Sequence, residues 1–277
     1  MQKHIRGFAV LCTMLFVSVS HAEDWPTYMK DNTRVGRTSD TLATGLSEHW
    51  VRTSATPPQW AWPGPGEKVI EGLKLRHRAR FDDVFHVAIV GERVFYGSSV
   101  DNAVYCVAAD SGEVLWRFVT SGPIRLAPTV ADSRVYVGSD DGNAYCLDAA
   151  SGERIWQFHP GPQDDRILAR GRMSSRWPVR TGVLIDDGIA YFGAGVFPHE
   201  TVYLCAVNAD TGAVIWKNDT ISQRDAGRND LTPQGYLLAT AERIFVPSAR
   251  TLPAAFDRAT GKMLHKQTSG GKQIGGS

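Results

Sequence analysis

VYCVAADSGEVLWRF (Val104–Phe118) and AYCLDAASGERIWQF (Ala144–Phe158) are one stretch written twice. Trp116 and Trp156 are forty residues apart, as are Gly112 and Gly152, and Cys106 and Cys146. LCAVNADTGAVIWKN (Leu204–Asn218) is a third copy, with Trp216 sixty residues on because an insertion intervenes. AAFDRATGKMLHKQ (Ala254–Gln267) is a fourth, with His265 where the tryptophan should stand. In every copy the ring residue lies four after the glycine: 112 to 116, 152 to 156, 212 to 216 and 261 to 265. A period near forty with four short strands per unit specifies a β-propeller or a related array.

Working outward, each unit reads as an inner apolar strand, then a second strand: Arg93–Ser99, Arg134–Ser139, Ile189–Ala194 and Arg243–Pro247. These runs alternate β-branched and aromatic residues, which suits strands. Asp101-Asn102 and Asp141-Gly142 read as the hairpin turns that follow. For Asp141-Gly142 the sequence implies positive φ at both central residues. The third strand carries the cysteines. A Ser-Gly or Thr-Gly turn then leads to the outer strand with its tryptophan. A blade has two apolar faces and cannot bury both alone, so an outer-strand indole is expected to lie on the neighbouring blade, over the bare glycine turn. The docking residues expected are Gly112, Trp116, Gly152, Trp156, Gly212, Trp216 and Gly261, and each indole contributes about 2–3 kcal/mol by area.

Residues 1–22 read as a secretory signal, with Lys3, His4 and Arg6 before the apolar run Phe8–Val19 and small residues at Ser20 and Ala22. The run is too short for a spanning helix, although an uncleaved anchor is the other reading. The mature chain is expected in the periplasm or secreted from a bacterium. The 277-residue chain has formal charge +1; losing Lys3 and Arg6 leaves 28 basic residues against 29 acidic. That balance argues against nucleic acid as a partner, and no membrane-spanning segment follows the signal. Cys106, Cys146 and Cys205 read as buried small apolar residues, with Cys205 displaced by one and so facing the other side of its strand.

Residues 23–84 form an N-terminal arm and a Pro/Gly-rich loop. Asp24–Arg37 reads as an extended arm on the domain, and Leu46–Thr53 as a short strand centred on Trp50. Residues 54–80, with Pro57, Pro58, Pro63, Gly64, Pro65 and Gly66, read as loop. Trp60 and Trp62 would pin it to the body. Residues 85–277 are the blades.

The pattern carried by Ala108–Trp116, Asp148–Trp156 and Asn208–Trp216, and degenerately by Asp257–His265, resembles the repeat of the PQQ-like β-propellers, quinoprotein dehydrogenases and BamB-type proteins among them. The opening DWPTYMKDNTRVGR is similar to that of secreted PQQ-like repeat proteins. The resemblance implies a ring of six to eight blades, whereas four are legible here. The chain is therefore expected to be a partial or half ring, either the front of a longer protein or one that closes on a second copy by self-association. Gly270–Ser277 reads as the entry to another inner strand.

Family dehydrogenases hold PQQ and Ca²⁺ with an adjacent cysteine pair and Glu, Asn and Asp ligands. No adjacent Cys pair, Cys-x-x-Cys-His or Asp-x-Asp-x-Asp-Gly stands in this sequence. The cofactor expectation is accordingly none, with PQQ and Ca²⁺ open but without recognisable binding residues, and no catalytic or metal-ligating residue is assigned. His159, His199 and His265 are scattered singly, and Asp164 and Asp165 read as surface charge.

The connector His159–Arg180 is long and arginine-rich, with Arg166, Arg170, Arg172, Arg176 and Arg180. Arg125 and Arg180 each stand eleven residues before a second-strand tyrosine, Tyr136 and Tyr191. Both are expected at the channel mouth from neighbouring blades, where with Arg176 they would hold a small anionic ligand bidentately. A solvated face with local aspartate partners is the competing reading. The function expected is an exported, non-catalytic module acting as a scaffold or as a ligand- or protein-binding domain. The alternative is part of a PQQ-dependent dehydrogenase, or the N-terminal propeller of a larger multidomain enzyme.

Overall fold

The computed structural model describes residues 22–42, 44–58, 68–70, 73–75, 84–169, 171–196, 200–222, 231–248 and 253–266. The signal expected over 1–22 lies almost wholly outside them, as do Trp60, Trp62, Arg170, His199 and the segment 270–277. All regular structure among the described residues is strand, and none of it is a helix long and apolar enough to cross a membrane.

Four four-stranded antiparallel sheets follow one another as blades in an unclosed array. Within 54–80, read as loop, a short hairpin forms from β1 (Lys68–Ile70) and β2 (Leu73–Leu75). Blade 1 is β3 (Val87–Val90), β4 (Arg93–Ser98), β5 (Ala103–Ala108) and β6 (Val114–Val119). Blade 2 is β7 (Thr129–Ala131), β8 (Arg134–Gly138), β9 (Ala144–Asp148) and β10 (Arg154–Phe158). The connector hairpin β11 (Arg166–Ala169) and β12 (Arg172–Ser175) precedes blade 3: β13 (Leu184–Asp186), β14 (Ile189–Ala194), β15 (Tyr203–Asn208) and β16 (Val214–Asn218). Blade 4 is β17 (Leu238–Ala239), β18 (Arg243–Val246), β19 (Ala254–Asp257) and β20 (Met263–His265).

The core lies between the blades. Phe95, Cys106 and Trp116 of blade 1 pack on Val135, Tyr145 and Leu147 of blade 2. Tyr136, Cys146 and Trp156 meet Phe192, Tyr203 and Cys205 of blade 3. Tyr191, Leu204 and Trp216 meet Ile244, Val246 and Phe256 of blade 4. Cys146 and Cys205 thus share one core from opposing blades because the one-residue displacement turns Cys205 over, as a period of two requires. Among the described residues Cys106, Cys146 and Cys205 are free thiols.

The docking joint repeats residue for residue. The Trp116 Nε1 donates to the Ala149 carbonyl at 3.1 Å, Trp156 to Ala209 at 2.7 Å and Trp216 to Arg258 at 3.1 Å. Each acceptor lies three residues before the glycine under the ring. Those glycines have positive φ, +75° at Gly152, and a Cβ there would stand 2.6 Å from Trp116 Cδ2. Beside each ring the register skips the preceding residue, Leu115 in blade 1, where Cys106 faces Trp116 and Val107 faces Val114. Such a bulge re-aims the side chain that follows. Trp50 makes the same joint on blade 1, donating to Ala109 at 2.9 Å over Gly112. Its segment, read as a strand, pairs with none; it serves through its indole.

The turn at Asp141-Gly142 differs from expectation. Only Gly142 has positive φ, +94°, as only Asn102 does in blade 1. Gly142 N donates to the Ser139 carbonyl at 3.1 Å, so the loop is a wider one with a single left-handed residue.

The N-terminal arm is coiled rather than extended, with positive φ at Met29, Lys30 and Arg34. It touches the blades in order. Trp25 and Ile89 exchange backbone bonds at 2.7 and 2.8 Å, and Val130 N donates to Pro26 at 2.8 Å. The Asn32 amide donates to the Ile185 carbonyl at 2.7 Å, and Arg34 Nε to Leu237 at 3.3 Å. The arm thus ties the inner strand, or the residue before it, of all four blades.

Candidate functional site

Arg125 and Arg180 stand four residues before β7 and β13, in the connectors that lead into those inner strands. Their placement begins at two glycines of the preceding blades. A Cβ at Gly97 would lie 2.3 Å from Ile124 Cγ2, and one at Gly138 would lie 2.5 Å from Val179 Cγ1. Only a bare backbone lets each connector cross there, and the residue after the crossing is the arginine. A third crossing, Pro233 over Gly193 at 2.5 Å, brings Gln234 to the same register.

The two arginines converge, on a carboxylate of the chain itself. Arg180 donates from Nε and Nη2 to the two oxygens of Asp140 at 2.8 and 2.9 Å. Arg125 Nε donates to Asp140 Oδ2 at 2.8 Å. All three side chains are buried, with 9% of each guanidinium side chain and 2% of the carboxylate side chain exposed. Burial alone would raise the Asp140 pKa; the charges and hydrogen bonds of Arg180 and Arg125 outweigh it and hold the group below the usual carboxylate value. The carboxylate is therefore held in its charged form between the two guanidiniums.

Asp140 is fixed from both connectors. Its N–H donates to Pro123 at 2.9 Å, and its carbonyl accepts from Ser175 N at 2.7 Å. Chemically the triad is a rigid bidentate clamp that locks two inter-blade connectors to one turn. Sequence reasoning missed Asp140, because an acidic pair before glycine reads as a turn. The equal spacing of Arg125 and Arg180 was the available signal that some carboxylate had to meet both.

Arg176 is engaged elsewhere. Its Nε lies 3.4 Å from Asp165, its Nη1 3.7 Å from Glu200, and its guanidinium 6.0 Å over the Trp177 ring. Arg166 is held by Asp164 through two bonds at 3.1 and 3.0 Å, and Arg172 Nη1 donates to the Ser99 carbonyl of blade 1. The connector hairpin is thereby drawn back over the first blade.

Beside the arm, Tyr28 stacks on Tyr236 with centroids 3.8 Å apart, and His86 stands edge-on to both. The Tyr236 hydroxyl accepts from Ala127 N at 2.7 Å, which links blade 4 to the connector before blade 2. Among the described residues no three His, Cys, Asp or Glu side chains are grouped to hold a metal ion.

Comparison with known proteins places these repeats. Residues 74–189 match the family described as outer membrane protein assembly factor BamB. A tetrathionate hydrolase of Acidithiobacillus ferrooxidans is 27% identical over 185 residues, covering 62% of this chain and 32% of that protein. The chain thus spans about a third of the curated relative it matches. Among solved structures, a quinohemoprotein alcohol dehydrogenase from Comamonas testosteroni superimposes with a TM-score of 0.57 at 15% identity, over 90% of this chain and 42% of that one. One from Pseudomonas putida HK5 gives a TM-score of 0.51 at 14% identity, over 65% and 33%. At such identities the likeness is one of fold.

Proposed function

Because the chain carries the PQQ-like repeat of BamB-type propellers, we propose that it is an exported binding module, periplasmic or secreted from a bacterium, that holds a protein partner or a small anionic ligand and turns over no substrate. The supporting observation is the Asp140 clamp. Arg125 and Arg180 are committed to fixing two connectors, and a recognition face gains from such rigidity because little ordering remains to be done on binding.

A second reading follows from the curated relative, a hydrolase, and from the quinohemoprotein fold shared over most of the chain. In it the propeller belongs to a larger enzyme, a quinoprotein dehydrogenase being the case to test. The described residues do not fit PQQ with Ca²⁺. Cys106, Cys146 and Cys205 stand singly in separate blades, and burial pushes the Cys146 and Cys205 thiols up to about 12. The Asp140 carboxylate is already bound by two guanidiniums.

The deciding experiment incubates the purified mature chain with PQQ and Ca²⁺, removes the excess on a column, and follows dye reduction with alcohols and sugars. The binding-module reading expects no retained quinone absorbance and no dye reduction. Retention with turnover overturns it.

A further inference from the structure

Beside the connector hairpin is a cleft of about 380 Å³, lined by the end of β6, the β8–β9 turn, β10 and the start of β11. That volume is at the lower end for small-molecule sites. Its polar groups form a relay whose orientation is fixed link by link. Arg154 Nη1 donates to Gln157 Oε1 at 2.5 Å, and Gln157 Nε2 to Asn143 Oδ1 at 3.2 Å. Asn143 donates from both N and Nδ2 to Asp141 Oδ1 at 3.0 Å. Asp141, 1% exposed, also accepts from Tyr145 Oη at 2.7 Å and Ser121 N at 3.0 Å, so its charge is spread over donors behind the cleft.

The charges decide the class of ligand. Arg154 and Arg166 face Asp164 within the lining, and Asp141 behind it brings the formal sum of these four to zero. Arg166 is already bound to Asp164 through two bonds, and among the described residues Arg154 forms no ion pair. An ionised ligand would leave one side of this balance uncompensated. A neutral ligand with many hydroxyl groups meets donors and acceptors in fixed positions and disturbs no pair. The aromatic walls complete the match: Phe118 and Tyr145 meet edge to face with centroids 5.5 Å apart, an apolar patch beside planar polar groups. A pyranose ring has this composition, with C–H faces for the rings and a rim of hydroxyls for the amides and guanidinium.

We propose that this cleft binds a neutral hexose unit, free or at the end of a glycan. The site shares no side chain with the Asp140 clamp, and it stands whether the whole protein is a binding module or an enzyme. Its test is titration calorimetry of the full chain with glucose, galactose, mannose and N-acetylglucosamine, and with galacturonate as the charged counterpart. A neutral sugar is expected to bind with Kd of about 0.1–10 mM. The double variant Arg154→Ala/Gln157→Ala changes two exposed residues; it is expected to weaken binding at least about tenfold, or 1.4 kcal/mol, with Tm unchanged. Maltotriose and chitotriose distinguish a glycan end from a free sugar by binding more tightly than the monosaccharide. The proposal falls if no neutral sugar binds within that range, if the double variant binds as well as the parent, or if galacturonate binds more tightly than every neutral sugar. Quinone retention with turnover in the preceding experiment would overturn the binding-module reading and leave this one standing.

Discussion

Gly152→Ala puts the blade joint to a quantitative test. At φ +75° an alanine occupies the left-handed region, at a cost of about 1–2 kcal/mol. Its Cβ would also stand 2.6 Å from Trp116 Cδ2 and Cε3, so the indole must move, at a further cost of about 1–3 kcal/mol. The expected destabilisation is therefore about 2–5 kcal/mol. Trp116→Ala empties the other half of the joint; the side chain is only 9% exposed, and the cost is about 3–5 kcal/mol. In that background the steric part of Gly152→Ala vanishes and about 1–2 kcal/mol remains. The two substitutions should thus couple by about 1–3 kcal/mol. Gly91→Ala isolates the backbone part, since φ is +56° and nothing lies within 4 Å of the added carbon. The assay is urea unfolding followed by far-ultraviolet circular dichroism, with free energies by linear extrapolation. If Gly152→Ala costs the same with and without Trp116, the indole is not what the glycine accommodates, and the docking argument is refuted.

Asp140→Asn should destabilise the fold by about 3–5 kcal/mol, since it leaves two buried guanidiniums without their counter-charge. The folded pKa of Asp140 is depressed, so its contribution is complete above the ordinary carboxylate value of about 4 and is lost as pH falls through the folded value. Urea midpoints measured from neutral pH downward should show that loss in the parent and a smaller one in Asp140→Asn; parallel curves would dismiss the clamp. Burial raises all three thiol pKa values, Cys146 and Cys205 to about 12. Cys106, Cys146 and Cys205 should therefore resist a thiol reagent at pH 8 in the folded chain and react together in urea, and rapid labelling without denaturant would contradict their placement.

The forty-residue period made the blades legible because every unit solves the same burial problem with the same residues. Trp116, Trp156 and Trp216 took the places their spacing implied, and the second strands were found to within a residue of their ends. Features that occur once left no period to read. Trp50 docks as its counterparts do, yet it stands in a segment without strand alternation. Asn32 and Arg34 are ordinary polar residues until the arm is seen crossing the inner strands. The matched spacing of Arg125 and Arg180 was legible, but Asp140, the carboxylate that joins them, was hidden within a turn motif. Gly97, Gly138 and Gly193 recur in the second strands, and their reason appears only when the next connector is seen lying on them.

The joint also bears on how such an array can change its length over evolutionary time. Each indole is encoded at the end of one repeat, while the glycine and carbonyl that receive it belong to the next. Recombination at any point in the forty-residue period therefore inherits a matched ring and seat on either side of the seam. A blade can be gained or lost without a new interface having to arise by mutation. Trp50 shows that even a stretch outside every sheet can be recruited to the seat, needing little more than an indole at the right distance along the chain.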